Sequence, residues 1–185
     1  MSGRGPSLNP SVPPGELSLR PPGPGDESAC RRAQDELTDY PFLLLWDQDR
    51  PWGNYVDLLD RLRDGSAVPG DFVPSTFLLA EVDGEIVGRL SVRFVLNDFL
   101  AAQGGHIGYA VLPRFRGRGY ATALLHRGVG ILEARGVSRI LVTCDDDNAS
   151  SAHIIERCGG VVESLVTTTD GTPLRRYWID HSASL

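Results

Sequence analysis

The segment V-L-P-R-F-R-G-R-G-Y-A, residues 111–121, joins the end of a predicted strand directly to the start of a predicted helix. At a helix start the first backbone N–H groups have no partner within the helix, and the positive end of the helix dipole lies there. Gly117 and Gly119 allow the backbone to approach a ligand closely, and Arg114, Arg116 and Arg118 add positive charge. The segment therefore predicts an anion site, most simply for a phosphate or pyrophosphate.

Two other interpretations of this loop lead elsewhere. Gly-x-Gly alone is also typical of a tight turn that binds nothing. A dinucleotide-binding fingerprint needs a third small residue, where this chain has Thr122, and an acidic residue about 20 positions further on at the end of a strand. The chain has no such acidic residue, so the sequence disfavours a dinucleotide site.

Outward from this loop, periodicity predicts the element order β, α, α, β, β, β, α, β, α, β, β. The predicted strands cover about 16–20, 76–82, 85–96, 105–112, 139–144, 161–168 and 174–180. The predicted helices cover about 26–37, with Asp26 as N-cap, and 54–63, 119–135 and 148–157. Asp83-Gly84 and Asp170-Gly171 mark hairpin turns. The crossover through the long helix makes strands 105–112 and 139–144 parallel and close together, so the fold class is mixed α/β.

A second informative segment, residues 147–160, reads D-N-A-S-S-A-H-I-I-E-R-C-G-G. The first segment contains Arg116-x-x-Gly119-x-Ala121, which matches the pattern R/Q-x-x-G-x-G/A. With both segments at this separation, the chain resembles the GNAT N-acetyltransferase superfamily over residues 16–180. The resemblance implies an acyl-CoA N-acyltransferase fold, a central twisted mixed sheet flanked by helices. It also implies acetyl transfer from acetyl-CoA to a primary amine by direct attack in a ternary complex.

The resemblance further implies where acetyl-CoA would bind. Its pyrophosphate would lie on main-chain amides at the helix start, from Arg116, Gly117, Arg118, Gly119, Tyr120 and Ala121. Its pantetheine arm would enter a gap between the two parallel strands and pair with the backbone of Ala110, Val111, Leu112 and Pro113. Asn148 would hydrogen-bond the arm, with Ser151 beside it. The other interpretation of Asn148 is a helix N-cap, and the two roles can coexist.

Proton transfer is where this chain departs from the superfamily pattern. Many members carry a tyrosine seven residues after the asparagine as general acid for the departing thiolate, whereas this chain has Ile155. A thiol has an ordinary pKa of about 8.5, so unassisted departure is tolerable. We hypothesise that His106 or Tyr109, at odd spacing on the strand beside the thioester, takes part instead, and at most one should line the site. The alternative is a structural histidine and a core tyrosine; Cys144 and Tyr177 are weaker candidates.

By the same resemblance, the acceptor site is bordered by the first helix pair and the final hairpin. Trp46, Asp47, Asp49 and Trp52 lie in the loop between those helices. Aromatic faces attract cations and carboxylates pair with ammonium groups, so a polyamine-like, aminosugar or peptide-amine acceptor is expected. The alternative is that the tryptophans cap the core and the aspartates are solvated. The aspartate run 145–147 is interpreted as a solvated helix-start pattern, and no metal is expected.

Composition bounds the remaining function classes. The 185 residues carry a net charge of −6, which disfavours a nucleic-acid partner. Seven of the 13 prolines fall in residues 1–25, so residues 1–15 are predicted to be a flexible tail and 16–185 a single domain.

All 18 basic residues are arginine, which excludes a lysine Schiff base and a P-loop. The three cysteines lack a C-x-x-C pair and are predicted to be buried, reduced thiols. No membrane or secretory segment is predicted, and a cytoplasmic location is expected.

Two further functions stay open at this point. One is a domain that binds acyl-CoA without turning it over, as a sensor or interaction module, which Ile155 favours. The other is an acyltransferase that uses a longer acyl chain or an oxygen acceptor. The sequence does not decide the acceptor's identity or whether the chain forms a homodimer.

Overall fold

The computed structural model describes residues 16–66 and 70–180, and the predicted tail of residues 1–15 lies outside them. Seven strands form one sheet in the order β1-β2-β3-β4-β5-β7-β6. They are β1 (Ser18–Arg20), β2 (Ser75–Val82), β3 (Glu85–Arg93), β4 (Ile107–Val111), β5 (Arg139–Asp145), β6 (Val161–Thr167) and β7 (Pro173–Asp180). The helices are α1 (Glu27–Glu36), α2 (Trp52–Asp64), α3 (Tyr120–Glu133) and α4 (Ala149–Arg157). The predicted mixed α/β class and element order are confirmed.

The β2–β3 hairpin has the turn that its sequence predicts. Asp83 and Gly84 both have positive φ angles, 52° and 80°. This is the type I′ pattern, whose twist matches that of the two flanking strands. The antiparallel pairing continues through β4, so β1 to β4 form one half of the sheet.

The long helix α3 packs closely on the centre of this half-sheet. Leu124, Leu125 and Leu132 are fully buried along one stripe of the helix, as the 3.6-residue period predicts. A Cβ at Gly128 would lie 3.1 Å from Ile107, so glycine at this position sets the close approach of α3 to β4.

The sheet opens in the middle, between β4 and β5. These strands are parallel, as predicted, but only Ile107 and Val142 pair across them. Next to that pair, the His106 N–H donates to the Leu141 carbonyl at 2.7 Å. Gly105 has φ +65° there, and a Cβ on it would lie 2.7 Å from the Leu141 carbonyl oxygen, so this junction needs a glycine. Beyond it the strands diverge and leave a gap at the carboxyl end of β4.

Two predicted boundaries are wrong for one local reason. The strand predicted over 85–96 ends at Arg93, and the next begins at Ile107 rather than residue 105. Between them a turn of π-helix covers Leu100–Gly104. Asn97 initiates it, because its side-chain oxygen accepts from the Leu100 N–H at 2.9 Å and competes with an extended backbone.

The predicted cap of α1 also needs correction. Asp26 stands at the N-cap position but makes no side-chain cap hydrogen bond. Its carboxylate instead accepts from both terminal nitrogens of Arg20 and from the Gly23 N–H at 2.6 Å. Asp26 therefore ties the end of β1 to the start of α1. Of the three cysteines, Cys30 and Cys144 are buried as predicted, whereas Cys158 is only partly buried.

Candidate active site

Five consecutive backbone N–H groups have no acceptor among the described residues where β4 leads into α3. Within residues 16–66 and 70–180, the amides of 117–121 make no hydrogen bond, and Gly119, the N-cap of α3, provides no side-chain cap. We call residues 117–121 the anion loop. The prediction included Arg116, but the Arg116 N–H donates to the Pro113 carbonyl at 3.2 Å. The available amides therefore begin one residue later than predicted.

The two glycines of the anion loop have conformations that other residues rarely adopt. Their φ angles are +76° at Gly117 and +84° at Gly119. No heavy atom lies within 4 Å of a Cβ placed on either residue. The loop therefore needs glycine for its backbone conformation, and the space in front of it is open to a ligand.

The three arginines near the anion loop do not contribute equally to its charge. Arg114 pairs with Glu36, and Arg116 pairs with Asp39 at 2.9 Å. Arg118 has no carboxylate partner in the described part of the chain; its guanidinium donates to the Arg114 carbonyl at 3.3 Å. The positive potential of the loop therefore comes mainly from Arg118 and the start of α3.

The edge of β4 that faces β5 carries the polar groups of the gap. Leu112 donates to Val87 on β3, and the His106 carbonyl accepts from Arg93 of the same strand. Because antiparallel pairing alternates, Ala110 also bonds toward β3, while Tyr109 and Val111 present their N–H and C=O groups to the gap. The Val111 carbonyl accepts from Arg116 Nε at 3.2 Å. Of the predicted segment 110–113, the Val111 N–H is the group left facing the gap.

The side chain of Tyr109 crosses the gap to helix α4. Its hydroxyl lies 2.8 Å from the Ser151 hydroxyl. Burial raises the pKa of Tyr109 to about 12, so the phenol stays protonated at neutral pH. Asn148 caps α4, because its side-chain oxygen accepts from the Ser151 N–H at 3.0 Å. The capping role predicted as one alternative is thus present, and the amide nitrogen of Asn148 is left over as a donor.

His106 lies at the closed end of the gap rather than inside it. Its Nδ1 accepts from the Leu141 N–H at 2.9 Å, and the residue is 6% exposed. Burial lowers the pKa of His106, so the ring is neutral at pH 7. With Nδ1 engaged, the proton lies on Nε2, and the ring holds β4 against β5.

Ile155 and the two weaker candidates for proton transfer, Tyr177 and Cys144, are buried. Ile155 is fully buried on α4, one turn beyond Ser151. The Tyr177 hydroxyl donates to Glu156 at 3.2 Å, and burial raises its pKa. Burial also raises the pKa of the Cys144 thiol. The Tyr177 phenol and the Cys144 thiol are therefore protonated and neutral at pH 7.

The four residues predicted to hold the acceptor do not share one environment. Trp52 is 5% exposed, and its indole N–H donates to the Gly23 carbonyl at 3.0 Å, so it packs in the core as the alternative interpretation predicted. Trp46 already holds a cation, because the Arg31 guanidinium lies 4.6 Å from its ring centre. Asp47 is exposed, pairs with Arg50 at 3.1 Å and borders an open cavity of about 1020 Å³. Asp49 is exposed in the same loop.

Sequence reasoning missed two arginines on the other face of the sheet centre. Arg89 and Arg93 lie on the same face of β3, beside Gly108 of β4. Arg89 is 5% exposed, and its Nε and Nη1 have no hydrogen-bond partner in the described residues. The signal was available, since a strand otherwise rich in apolar residues carries arginine at two positions of one face.

Comparisons with known proteins agree with this geometry. A model of the acetyltransferase (GNAT) family matches residues 31–160. The chain therefore belongs to the GNAT acetyltransferase family, as its two motifs predicted.

Three solved structures illustrate the shared fold. RimJ of Mycobacterium smegmatis, in complex with CoA-disulfide, has a TM-score of 0.67 and 24% identity, over 91% of this chain and 84% of RimJ. The putative acetyltransferase yncA of Salmonella typhimurium, with acetyl-CoA, has a TM-score of 0.62 and 16% identity, over 90% and 95%. RimL, a ribosomal alpha-N-protein acetyltransferase in complex with coenzyme A, has a TM-score of 0.67 and 18% identity, over 91% and 96%.

Residues 16–66 and 70–180 contain neither a metal-binding cluster nor a membrane-spanning helix. No group of three or more His, Cys, Asp or Glu side chains there is arranged to hold a metal ion. None of the helices in that part of the chain has the length and apolar character that crossing a membrane requires.

Proposed function

We propose that this chain is an N-acetyltransferase that uses acetyl-CoA as co-substrate and acetylates a primary amine by direct attack in a ternary complex. The observation that carries the proposal is the anion loop, five unpaired amides at the mouth of a gap in the sheet. A diphosphate needs such donors, and an extended amide-bearing arm needs an unpaired strand edge. Bound acetyl-CoA and coenzyme A in structures of the same fold support this assignment.

Each part of the co-substrate has matching groups on the protein. The amides of 117–121 and the Arg118 side chain would hold the pyrophosphate. The Val111 N–H on β4 and the side-chain N–H groups of Asn148 would hydrogen-bond the carbonyls of the pantetheine arm. Ser151 would border the arm on the α4 side.

The unpaired edge of β4 would also serve the reaction. Attack by the amine nitrogen on the thioester carbon forms the C–N bond and places negative charge on the carbonyl oxygen. A backbone N–H of β4 that faces the gap would stabilise this charge, and one such preorganised donor is typically worth about 10²–10³ in rate.

Tyr109 is the better candidate for the proton donor. As the C–S bond breaks, the thiolate takes the proton of the Tyr109 phenol, which lies in the gap and is protonated at neutral pH. The proton that the amine nitrogen loses on forming the amide then returns to the Tyr109 oxygen. His106 is less suited, because its Nδ1 already accepts from the Leu141 N–H. The helix position that carries tyrosine in many GNAT proteins is the buried Ile155 here, so the phenol would come from β4 instead.

The acceptor would be a small-molecule or peptide amine that reaches the gap from the loop between α1 and α2. Its amine must be neutral to attack, although the ordinary pKa of an alkylammonium group is about 10.4. Asp47 at the cavity edge and Asp49 remain candidates to attract the ammonium form. Trp46 would contribute only if its ring exchanged Arg31 for the acceptor.

A second function, binding of acyl-CoA without turnover, is favoured by Ile155, which cannot donate a proton. Thiol release from acetyl-CoA across a panel of primary amines, with calorimetry of coenzyme A binding, distinguishes the two functions. Thiol release from acetyl-CoA that depends on an added amine supports the transferase. Binding without release for any amine supports the sensor, and failure to bind coenzyme A contradicts both.

A further inference from the structure

The arginine pair, Arg89 and Arg93, lies near the centre of the sheet with few hydrogen-bond partners. The Nη2 of Arg89 donates to the Pro41 carbonyl at 3.1 Å, but its Nε and Nη1 are buried without partners. Arg93 makes one long contact, from Nη1 to the Gly104 carbonyl at 3.5 Å. Most of the donors of both guanidinium groups are therefore unused by the described residues.

Guanidinium nitrogens of both arginines lie next to one glycine beside the gap. A Cβ at Gly108 would lie 3.4 Å from Nη1 of Arg93 and 3.8 Å from Nη1 of Arg89. Gly108 is only partly buried, and it directly precedes Tyr109, whose backbone faces the gap. A group bound by the arginine pair would therefore lie next to the point where the thioester is expected.

The arginine pair also lacks a counterion. Among the described residues no carboxylate forms an ion pair with Arg89 or Arg93, although the chain as a whole is acidic. Burial and the neighbouring Arg93 lower the pKa of Arg89 to about 10, and burial lowers that of Arg93. Both groups still carry a positive charge at pH 7. A buried guanidinium beside a partly buried one, with no carboxylate partner for either, destabilises the protein unless an anion binds there.

We propose that the arginine pair binds a carboxylate of the acceptor, so that the substrate is an amine that also carries a carboxylate. This inference rests on the proposed function and names the substrate class of that site. A guanidinium fork binds a carboxylate through two parallel hydrogen bonds, and the Nη1 atoms of both arginines lie within 4 Å of the Cβ position that is empty at Gly108. A polyamine would be repelled at the same point, because the site is already positively charged.

A purely structural role for Arg89 makes a different prediction. Through Pro41 it holds the segment between α1 and α2 against β3, and in that case the charge of the acceptor would not matter. Substrate pairs that differ only in the carboxylate separate the two roles. A free amino acid against its carboxamide forms one pair, and the dipeptides Ala-Glu and Ala-Gln, both amidated at the C-terminus, form the other.

The rate of thiol release from acetyl-CoA is measured for each pair with the wild-type chain, Arg89→Gln and Arg93→Gln. We expect kcat/KM at least about tenfold higher for the carboxylate member of one pair, through KM, and loss of that preference in both variants. The ammonium group of the amino acid carboxamide has a lower pKa than that of the free amino acid, so more of it is the neutral, reactive amine at pH 7. Amine basicity alone would therefore make the carboxamide the better substrate. The pair that shows the preference identifies a free amino acid or a peptide as the source of the carboxylate. Arg127→Gln, an exposed arginine on α3, is the control and should keep the wild-type preference.

A binding measurement covers the case in which a variant folds poorly or no acceptor reacts. Glutarate, at fixed ionic strength, should raise the melting temperature of the wild-type chain saturably, and not that of Arg93→Gln. Equal rates within both pairs, a preference that survives in both variants, or no glutarate effect would overturn the proposal. Loss of thiol release with every amine contradicts the proposed transferase instead, and the glutarate result still decides the arginine pair.

Discussion

Replacing Gly119 by alanine tests the anion loop directly, because this residue combines a left-handed backbone with open space around it. Its φ is +84°, and no atom lies within 4 Å of the added Cβ, so the substitution creates strain without a clash. A non-glycine residue in this region costs about 1–2 kcal/mol. The chain relieves the strain by rotating the peptide planes on either side, which turns the flanking N–H groups away from their common direction.

The expected loss of affinity follows from those N–H groups. A hydrogen bond from an amide to a charged phosphate oxygen is worth about 1.5–3 kcal/mol. Loss of one such bond should raise the Kd for coenzyme A about 10- to 100-fold, at 1.4 kcal/mol per tenfold change. Isothermal titration calorimetry measures this change, and urea denaturation measures the stability of the same sample.

The chain offers a matched control at the other end of α3. Gly136 has φ +78° and also has no atom within 4 Å of an added Cβ. Gly136→Ala should therefore lose a similar free energy of unfolding while keeping the wild-type affinity for coenzyme A. Equal losses of affinity in the two variants, or wild-type affinity in Gly119→Ala, would refute the assignment of the anion loop.

Three further predictions concern single side chains. Tyr109→Phe should lower kcat about 10²–10⁴-fold with little change in coenzyme A affinity, because it removes the proposed proton donor; unchanged kcat from steady-state thiol release would remove Tyr109 from the mechanism. Because burial lowers the pKa of His106 below its ordinary value near 6.5, its neutral form stabilises the fold fully above that value, and stability is lost as pH falls below it. The urea midpoint should therefore fall between pH 7 and pH 5 in the wild type and in His153→Gln, and fall less in His106→Gln; equal slopes in all three would contradict this. Arg118→Gln should weaken coenzyme A binding about fivefold, roughly 1 kcal/mol, and reduce its salt dependence, whereas Arg114→Gln, already paired with Glu36, should change binding less in the same calorimetry.

The parts of the fold that depend on local patterns could be predicted from the sequence. The helix α3 has an apolar stripe, Asp83-Gly84 supplies the two positive φ angles of its turn, and the loop before α3 has the glycines that an anion site needs. These features involve residues close together in the chain, so spacing alone describes them. The parallel pairing of β4 and β5 followed from the crossover rule.

The parts that depend on distant contacts could not be predicted in the same way. Trp52 was expected at the acceptor site, but it donates to the Gly23 carbonyl, 29 residues earlier in the chain. The Arg116 amide was expected in the anion loop, but it closes a short turn onto the Pro113 carbonyl. The importance of Arg89 depends on burial and on what its nitrogens fail to contact, neither of which a composition or motif reveals.

The gap between β4 and β5 is the place where this chain departs from the usual rule that buried backbone groups are paired. Parallel strands in the centre of a sheet ordinarily pair along their whole length. Here Gly105 and the two hydrogen bonds between His106 and Leu141 fasten one end, while at the other end the Tyr109 hydroxyl contacts Ser151 on α4. An opening in the centre of the sheet leaves backbone N–H and C=O groups without strand partners. A ligand bound in the opening would satisfy those groups and stabilise the sheet. Departures of this kind are expected at functional sites, and the anion loop, the phenol of Tyr109 and the arginine pair all lie at this opening.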